Sequence, residues 1–364
     1  MLKLKLKVVD LSRVLAGPVC SMMLGDLGAD VIKVERPGHG DETRGWGPPF
    51  DADGQSAYFL SINRNKKSLA ADLGKPGDRT LVLDLIRSAD VVLDNFLPGS
   101  LERVGVSRED ELKKNPRLIW CTISGFGTGT TRPGYDFVVQ AECGWMAITG
   151  QVDGPPTKIG VALADVIAGK DAAIAILAAV SARADGPLSV EDRRIDIALA
   201  DSARASLVNV AQNVLVSGRD AGRWGNAHPN LVPYQLFDAQ DRALVIAVGS
   251  DGQWKACARA LDLIELSEDT ALRTNAGRVE NRERLISTIA GRVAERKAQH
   301  WIDRLAVAAV PCGLVLTVAE ALEKTTGDAH TGMPPSVPGT VRLPPPGLDE
   351  HGDSIRSLGW RAFG

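Results

Sequence analysis

Residues 1–200 alternate between two hydrophobic rhythms. Short β-branched runs with strand character (KLKVVDLS, ADVIKVE, KKSLAAD, VVLDN, RLIWCTISGF, RRIDIALAD) are separated by stretches with helical spacing (PVCSMMLGDLG, DRTLVLDLIRSA, REDELKKN). Pro18 suits the first turn of the first of these helices. A βαβα order of this kind predicts an α/β fold, a doubly wound and mostly parallel sheet with helices on both faces. A long helix is expected to start around Asp165 and to end near Ala184, where DGP breaks it. SARASLVNVAQNVLVSG predicts a further helix, a linker over 201–224.

The texture changes at RWGNAHPNLVPYQLF. LFDAQDRALVIAVG reads as a β-hairpin turning near Gln240–Asp241, and GQWKACARALDL, NRERLISTIAGRVAER and AQHWIDRLAVA read as helices. This predicts a smaller α+β domain over 225–315. The tail VRLPPPGLDEHGDSIRSLG reads as a strand, a Pro-rich turn and a short helix. The long Gly- and Pro-rich segment ERPGHGDETRGWGPPFDADGQ, between the second and third strands, has the character of a functional loop.

Composition narrows the class. The chain is 44% hydrophobic and 24% charged with a net charge of −3, which does not favour nucleic acid as a partner. The N-terminal MLKLKLK alternates as a strand does and lacks the apolar core of a signal peptide. The apolar run IAILAAV falls far short of the ~20 residues of a membrane span, so a cytoplasmic location without membrane association is expected. The five cysteines are scattered without a C-x-x-C pair, which fits reduced, buried thiols and no metal site. The five histidines are equally scattered, and no Ser-His-Asp arrangement is visible.

The first strand–helix turn, LSRVLAGPVC, carries neither G-x-G-x-x-G nor a P-loop. Its Gly17 and Pro18 still allow a tight turn at a helix start, where amides face an anion. Arg36, Arg44, Arg64, Lys66, Lys67 and Arg103 lie near strand ends. Each alone is an ordinary surface charge; together they suit a phosphorylated ligand. Asn95 and Phe96 follow a strand directly, an amide and a ring able to bond and stack on a purine. Asp165 stands nearly alone among small apolar residues in GVALADVIAGK. It is either a helix N-cap or a carboxylate held dry enough to act as a nucleophile on an acyl carbon.

Several motifs in order resemble the class III CoA-transferases (the CaiB/BaiF family): GP-x5-LGDLGADVIKVERPGHGD at 17–41, NRNKKSLAADL at 63–73, DVVLDNFLPGSLERVGV at 90–106, ISGFGTG at 123–129, RPGYDFVVQAECGWMAITG at 132–150 and DGPPTKIGVALADVIAGKDAAIAILAAV at 153–180. GNAHPNLVPYQLF, VPCGLV and RLPPPGLDEH extend the likeness toward the C-terminus. The resemblance implies that Asp165 is a covalent carboxylate, passing through an aspartyl anhydride and an aspartyl-CoA thioester as CoA moves from an acyl-CoA to a small carboxylic acid. It implies CoA or substrate contacts at Leu15, Ala16, Arg36, Ala71, Asp72, Leu73, Asn95, Phe96, Leu97, Arg103, Gly134 and Tyr135. No permanently bound cofactor and no metal are expected; CoA enters as substrate. The family also implies an interlocked homodimer, with a large CoA-binding domain of 1–200 completed by 320–364.

Two features depart from known members. Leu15 stands where formyl-CoA transferase has a glutamine, and no run of four glycines is present, so protection of intermediates either differs or uses GNAHPN or GSDGQ instead. Tyr135 occupies the place of the proton-exchanging histidine of the related α-methylacyl-CoA racemases, and a phenol of pKa near 10 is a poor base at neutral pH. Transferase is therefore expected over racemase or epimerase. A catalytically idle CoA-binding protein is the remaining alternative. Specificity for the acid is expected in the small domain and in the loops around Trp46, Tyr58 and Trp145.

Overall fold

The computed structural model describes residues 4–364, so the first three residues of the MLKLKLK pattern lie outside the described residues. The chain divides into two compact units. One comprises residues up to Trp145, Lys158–Arg219 and Thr325–Gly364; the other comprises Met146–Thr157 and Asp220–Lys324. The 146–157 segment, inside the expected 1–200 domain, thus packs with the second unit, where Arg223 bonds the Gln151 and Gly154 carbonyls.

The first unit is built on six strands: β1 (Lys7–Asp10), β2 (Asp30–Glu35), β3 (Lys66–Ala70), β4 (Val91–Asp94), β5 (Ile119–Ser124) and β6 (Arg194–Ala198). They lie in the order β3-β2-β1-β4-β5-β6, and every pairing is parallel. Successive side chains point to opposite faces. Val8, Val31, Val91 and Leu93 pack on one side with the Ala16–Asp26 and Leu163–Asp185 helices. Val9, Ile32, Val92 and Trp120 pack on the other with Val82, Leu85 and Leu112. Burial on both faces explains the unbroken apolar runs of these strands. No helix among the described residues is long and apolar enough to cross a membrane.

The strand order reverses between β1 and β4. In open parallel sheets the crevice outside the carboxyl ends at such a reversal is where ligands bind. The loops that open there are 11–15 and 95–99. The 16–26 helix leaves the first of them and crosses the start of the 163–185 helix at close range. A Cβ on Gly169 would come within 2.5 Å of the Ala16 carbonyl oxygen, so glycine is what lets the two backbones meet.

The second unit has an antiparallel sheet of β7 (Tyr234–Asp238), β8 (Ala243–Ala247) and β9 (Cys312–Leu314). Its helices close over a core with Trp254 and Trp301 inside. The β7–β8 pair is the hairpin expected around Gln240–Asp241.

Two local expectations need correction, and one open alternative is decided. The 201–224 linker is not one helix: Leu199–Ala205 and Val208–Ser217 are separate, broken where Val208 takes a φ of 42°. Val341–Leu343 is not a strand. Its backbone is held by the side chain of Asn65, whose Oδ1 accepts from the Arg342 and Leu343 amides and whose Nδ2 donates to the Thr340 carbonyl; the prolines that follow have no N–H for a ladder. Asp165 is not an N-cap, for reasons that belong to the site itself.

Candidate active site

The 11–16 loop is gripped from below by buried charge. Asp10, at the end of β1, accepts from the Ser12 amide at 2.9 Å, from Ser21 Oγ at 2.5 Å and from Lys66 Nζ at 3.2 Å. Lys33 donates to the Ser12 carbonyl at 2.9 Å and pairs with Asp41 at 2.9 Å. Asp41 in turn accepts from the Val14 amide at 3.3 Å. Asn95, on the loop after β4, closes a two-bond ring with the Arg13 backbone: Oδ1 accepts its N–H at 3.0 Å and Nδ2 donates to its carbonyl at 2.7 Å. Val14 is thereby held at a φ of 69°, an unusual conformation for a β-branched residue.

Each charge in this network has a partner. Burial opposes ionisation of Asp10, but Lys66, Lys33 and two serine hydroxyls outweigh it and hold the carboxyl below its ordinary range. Burial likewise opposes the charge on Asp41, and Lys33 with the Thr43 bonds reverses the balance. Lys66, fully buried, is pushed down to about 8 by desolvation despite Asp10.

Asp165 is the opposite case. The 163–185 helix begins at Leu163, and its N-cap, Ala162, offers no side-chain acceptor. The cap comes from elsewhere in the chain. Asp136 Oδ1 accepts from the Ala164 amide at 2.8 Å and from the Asp165 amide at 3.4 Å. Asp136 Oδ2 takes Gln140 Nε2 at 2.6 Å, and Gln140 Oε1 takes the Ile159 amide at 2.8 Å. With the helix capped in this way, the Asp165 carboxylate has no hydrogen-bond donor among the described residues, although Asp165 is only 8% exposed. Burial, and then the charge of Asp136, push its pKa up to about 7. The wall beside it is dry: Leu15, Val19, Ile62, Tyr58, Ala162 and Val166 form one small apolar cluster. The Tyr58 phenol is pushed up to about 12 by burial, then by Asp165, Asp136 and Asp41, so it remains a hydrogen-bond donor.

Two adjoining cavities open over this floor. One, of about 240 Å³, has Leu15, Ala16, Asn95, Leu97, Tyr135 and Asp165 in its wall. The other, of about 180 Å³, has Arg36, Ala71, Asp72 and Leu73 in its wall. Arg13 and Phe96 line both, with the guanidinium 5.4 Å from the ring centroid. The pair of cavities therefore offers one section in which charges of both signs meet, Arg13, Lys33 and Arg36 beside Glu35, Asp41 and Asp72, and, next to it, the Asp165 carboxylate against an apolar wall.

The comparisons identify the ligand class. The model of the family described as CoA-transferase family III matches residues 5–344. The chain belongs to this family. It is 41% identical over 330 residues to a Mus musculus protein named succinyl-CoA:glutarate CoA-transferase, covering 90% of this chain and 74% of that one. It is 38% identical over 370 residues to acetyl-CoA:oxalate CoA-transferase of Acetobacter aceti, covering 96% and 94%. Among solved structures, a CAIB/BAIF family protein from Brucella suis superposes with a TM-score of 0.84 at 40% identity, covering 97% of each chain. The chain is accordingly an enzyme, a CoA-transferase acting between an acyl-CoA and a carboxylic acid.

Within this CoA-transferase the expected site residues are brought together unevenly. Leu15, Ala16, Asn95, Phe96, Leu97, Gly134, Tyr135 and Asp165 line the first cavity, and Arg36, Ala71, Asp72 and Leu73 the second. Arg103 is itself in neither wall; its exposed guanidinium bonds, at 2.8 Å, the Oγ of Ser100, a residue of the second cavity's wall. Both polar atoms of the Asn95 amide are engaged by Arg13, so Asn95 shapes the loop, leaving Phe96 to face the ligand space. Most of the expected basic cluster is structural. Arg64 is paired with Asp26, Arg44 with Glu35 and Lys66 with Asp10, while Lys67 donates to the Ala362 carbonyl. Arg36 remains exposed without a partner among the described residues. Trp145 is a core residue whose Nε1 bonds the Ala203 carbonyl, whereas Trp46 stacks edge-on against Tyr58, 5.1 Å between centroids.

Sequence reasoning missed Arg13 and Asp136. Asp136 had a local signal, its place in the Gly134-Tyr135-Asp136 turn just before a helix. Arg13 had none, because its place in the wall of both cavities comes from where Asn95 holds its backbone.

Proposed function

We propose that this CoA-transferase works through covalent intermediates on Asp165, with short dicarboxylic acids as its substrates. The ionised carboxylate attacks the thioester carbonyl of the donor; the C–S bond breaks, CoA leaves as thiolate and a mixed aspartyl anhydride remains. The thiolate then attacks the Asp165 carbonyl, releasing the donor acid as carboxylate and leaving an aspartyl-CoA thioester. The acceptor carboxylate displaces CoA from that thioester, and the thiolate finally attacks the acceptor's own carbonyl, regenerating Asp165. Each hard acyl transfer is thereby divided into easier ones.

The observation that carries this reading is the buried carboxylate without donors, in the first turn of a helix capped by Asp136. A poorly solvated carboxylate is a stronger nucleophile, and its placement in the cavity wall lets a thioester approach. Ala16 opens the 16–26 helix in the same wall, and amides at a helix start have no intrahelical acceptor, so they suit a developing oxyanion. The adenosine and phosphates of CoA are assigned to the cavity of Arg36, Ala71, Asp72 and Leu73, with Phe96 as the stacking surface. The acids are inferred from relatives named for succinate, glutarate and oxalate. A cytoplasmic homodimer is part of the same proposal.

The test is one incubation in D₂O with succinyl-CoA, a 2-methylacyl-CoA and a pool of carboxylic acids, read by mass spectrometry of the CoA esters. New CoA esters of dicarboxylic acids, absent with Asp165→Ala, are expected. Deuterium at the α-carbon without new esters would replace the reading with a racemase, and CoA binding without either product would reduce the chain to a binding protein.

A further inference from the structure

The geometry points to Arg13 as the residue that reads the far carboxylate of a dicarboxylic substrate. This rests on the transferase reading, which fixes the reacting carboxyl group at Asp165.

A dicarboxylate whose reacting end lies at Asp165 brings its second carboxylate into the same cavity. An unpaired anion there is costly, and the nearby acidic group makes it more so. The wall contains two guanidinium groups, Arg13 and Arg132. Arg132 has its fork occupied: its two Nη atoms bond the two oxygens of Glu142, and its plane covers the Phe126 ring at 4.2 Å. Arg13 is not. Its Nη1 donates to Glu42, Nη2 has no acceptor among the described residues, and Nε is buried without a partner. A planar fork with a free Nη2 is the group that recognises a carboxylate.

Arg13 is also held as a reader has to be. Its backbone is clamped on both sides by Asn95. Its neighbours Ser12 and Val14 are fixed by Asp10, Lys33 and Asp41. Glu42 follows Asp41 directly and opens the 3₁₀ turn that Asp41 caps. Both members of the Arg13–Glu42 pair therefore project from anchored backbone, and the contact between them is solvent-exposed, with side chains 36% and 45% accessible. Exposed pairs contribute little, so an incoming carboxylate replaces or joins Glu42 at low cost. An acid with a methyl group at that end leaves the pair as it is and gains nothing from it.

The experiment compares glutarate with valerate as acceptors from succinyl-CoA, in the unaltered protein, Arg13→Met, Arg13→Lys and Glu42→Gln. The unaltered protein is expected to favour glutarate, and Arg13→Met to lower the glutarate-to-valerate ratio of kcat/KM by about tenfold to a hundredfold. Arg13→Lys should restore part of the preference, since a point charge remains but the fork is lost. Glu42→Gln should keep the preference or raise it. A ratio unchanged in Arg13→Met, with KM for succinyl-CoA raised for both acceptors, would overturn the proposal and assign Arg13 to CoA. If no ester is exchanged at all, the transferase reading fails and calorimetry still decides Arg13. In Asp165→Asn protein with CoA present, glutarate should bind more tightly than valerate only while Arg13 is intact, and equal binding would contradict the inference.

Discussion

Asp10 and Asp165 are buried carboxylates of the same unit, and they have been given opposite surroundings. Asp10 has two lysines and two serine hydroxyls around it, and its oxygens are taken up in tying the 11–16 loop to the 16–26 helix and to β3. Asp165 has an apolar wall and a second aspartate. The helix terminus that would ordinarily occupy such a residue is served by Asp136. The difference teaches how a carboxylate becomes available for chemistry in a protein interior: another residue takes over its structural work, and its own oxygens are left unbonded.

The sharpest way to test that contrast is to neutralise each carboxylate in turn. Asp165→Asn should lower kcat by at least about 10³-fold, as expected for loss of a covalent nucleophile, while the protein stays folded. Asp10→Asn should do the reverse in kind. It leaves Lys66 and Lys33 short of a buried counter-charge and should cost about 3–5 kcal/mol of stability at neutral pH, read by denaturant unfolding.

A smaller effect separates the two by sign. The pKa of Asp165 stands at about 7 in the folded protein against an ordinary value of 3.8. Between those values the folded state holds a proton that the unfolded state has lost, so stability falls as pH rises toward 7. Asp165→Asn removes that penalty. It should be more stable than the unaltered protein at pH 8, by about 2–4 kcal/mol, and the gain should vanish toward pH 4. For Asp10, whose carboxyl lies below its ordinary range, the stabilisation is present at neutral pH and is lost as pH falls.

How much of this was legible in the chain follows from the range of each interaction. The alternation of β-branched runs and helical spacing predicts the parallel sheet because period is a local property. The Asp165 motif stands out because a lone acid in an apolar run is also local. Its freedom from capping duty was not readable, since Asp136 reaches the helix from a separate turn. The same holds for Asn95, whose amide has the look of a ligand contact but closes on Arg13, and for Val341–Leu343, whose apolar pattern suggests a strand but which pairs with the Asn65 side chain. Arg64 and Lys66 show the same limit: charges at strand ends read as ligand contacts until their buried partners, Asp26 and Asp10, are located.

The smallest expected effect concerns Asp136. Asp136→Asn keeps an oxygen to cap the 163–185 helix but removes the charge that helps raise Asp165. The rise of kcat/KM with pH, expected near 7 in the unaltered protein because attack requires the ionised form, should move to lower pH in this variant. An unmoved profile would mean that burial alone sets the Asp165 pKa.

The most direct test of the central claim is to look for the intermediate. The enzyme would be mixed with succinyl-CoA without an acceptor, quenched in acid, digested and analysed by peptide mass spectrometry. The account predicts a CoA adduct, with loss of water, on the peptide containing Asp165 and its absence in Asp165→Asn. CoA transfer at full rate with no adduct, or with the adduct on another residue, would contradict it.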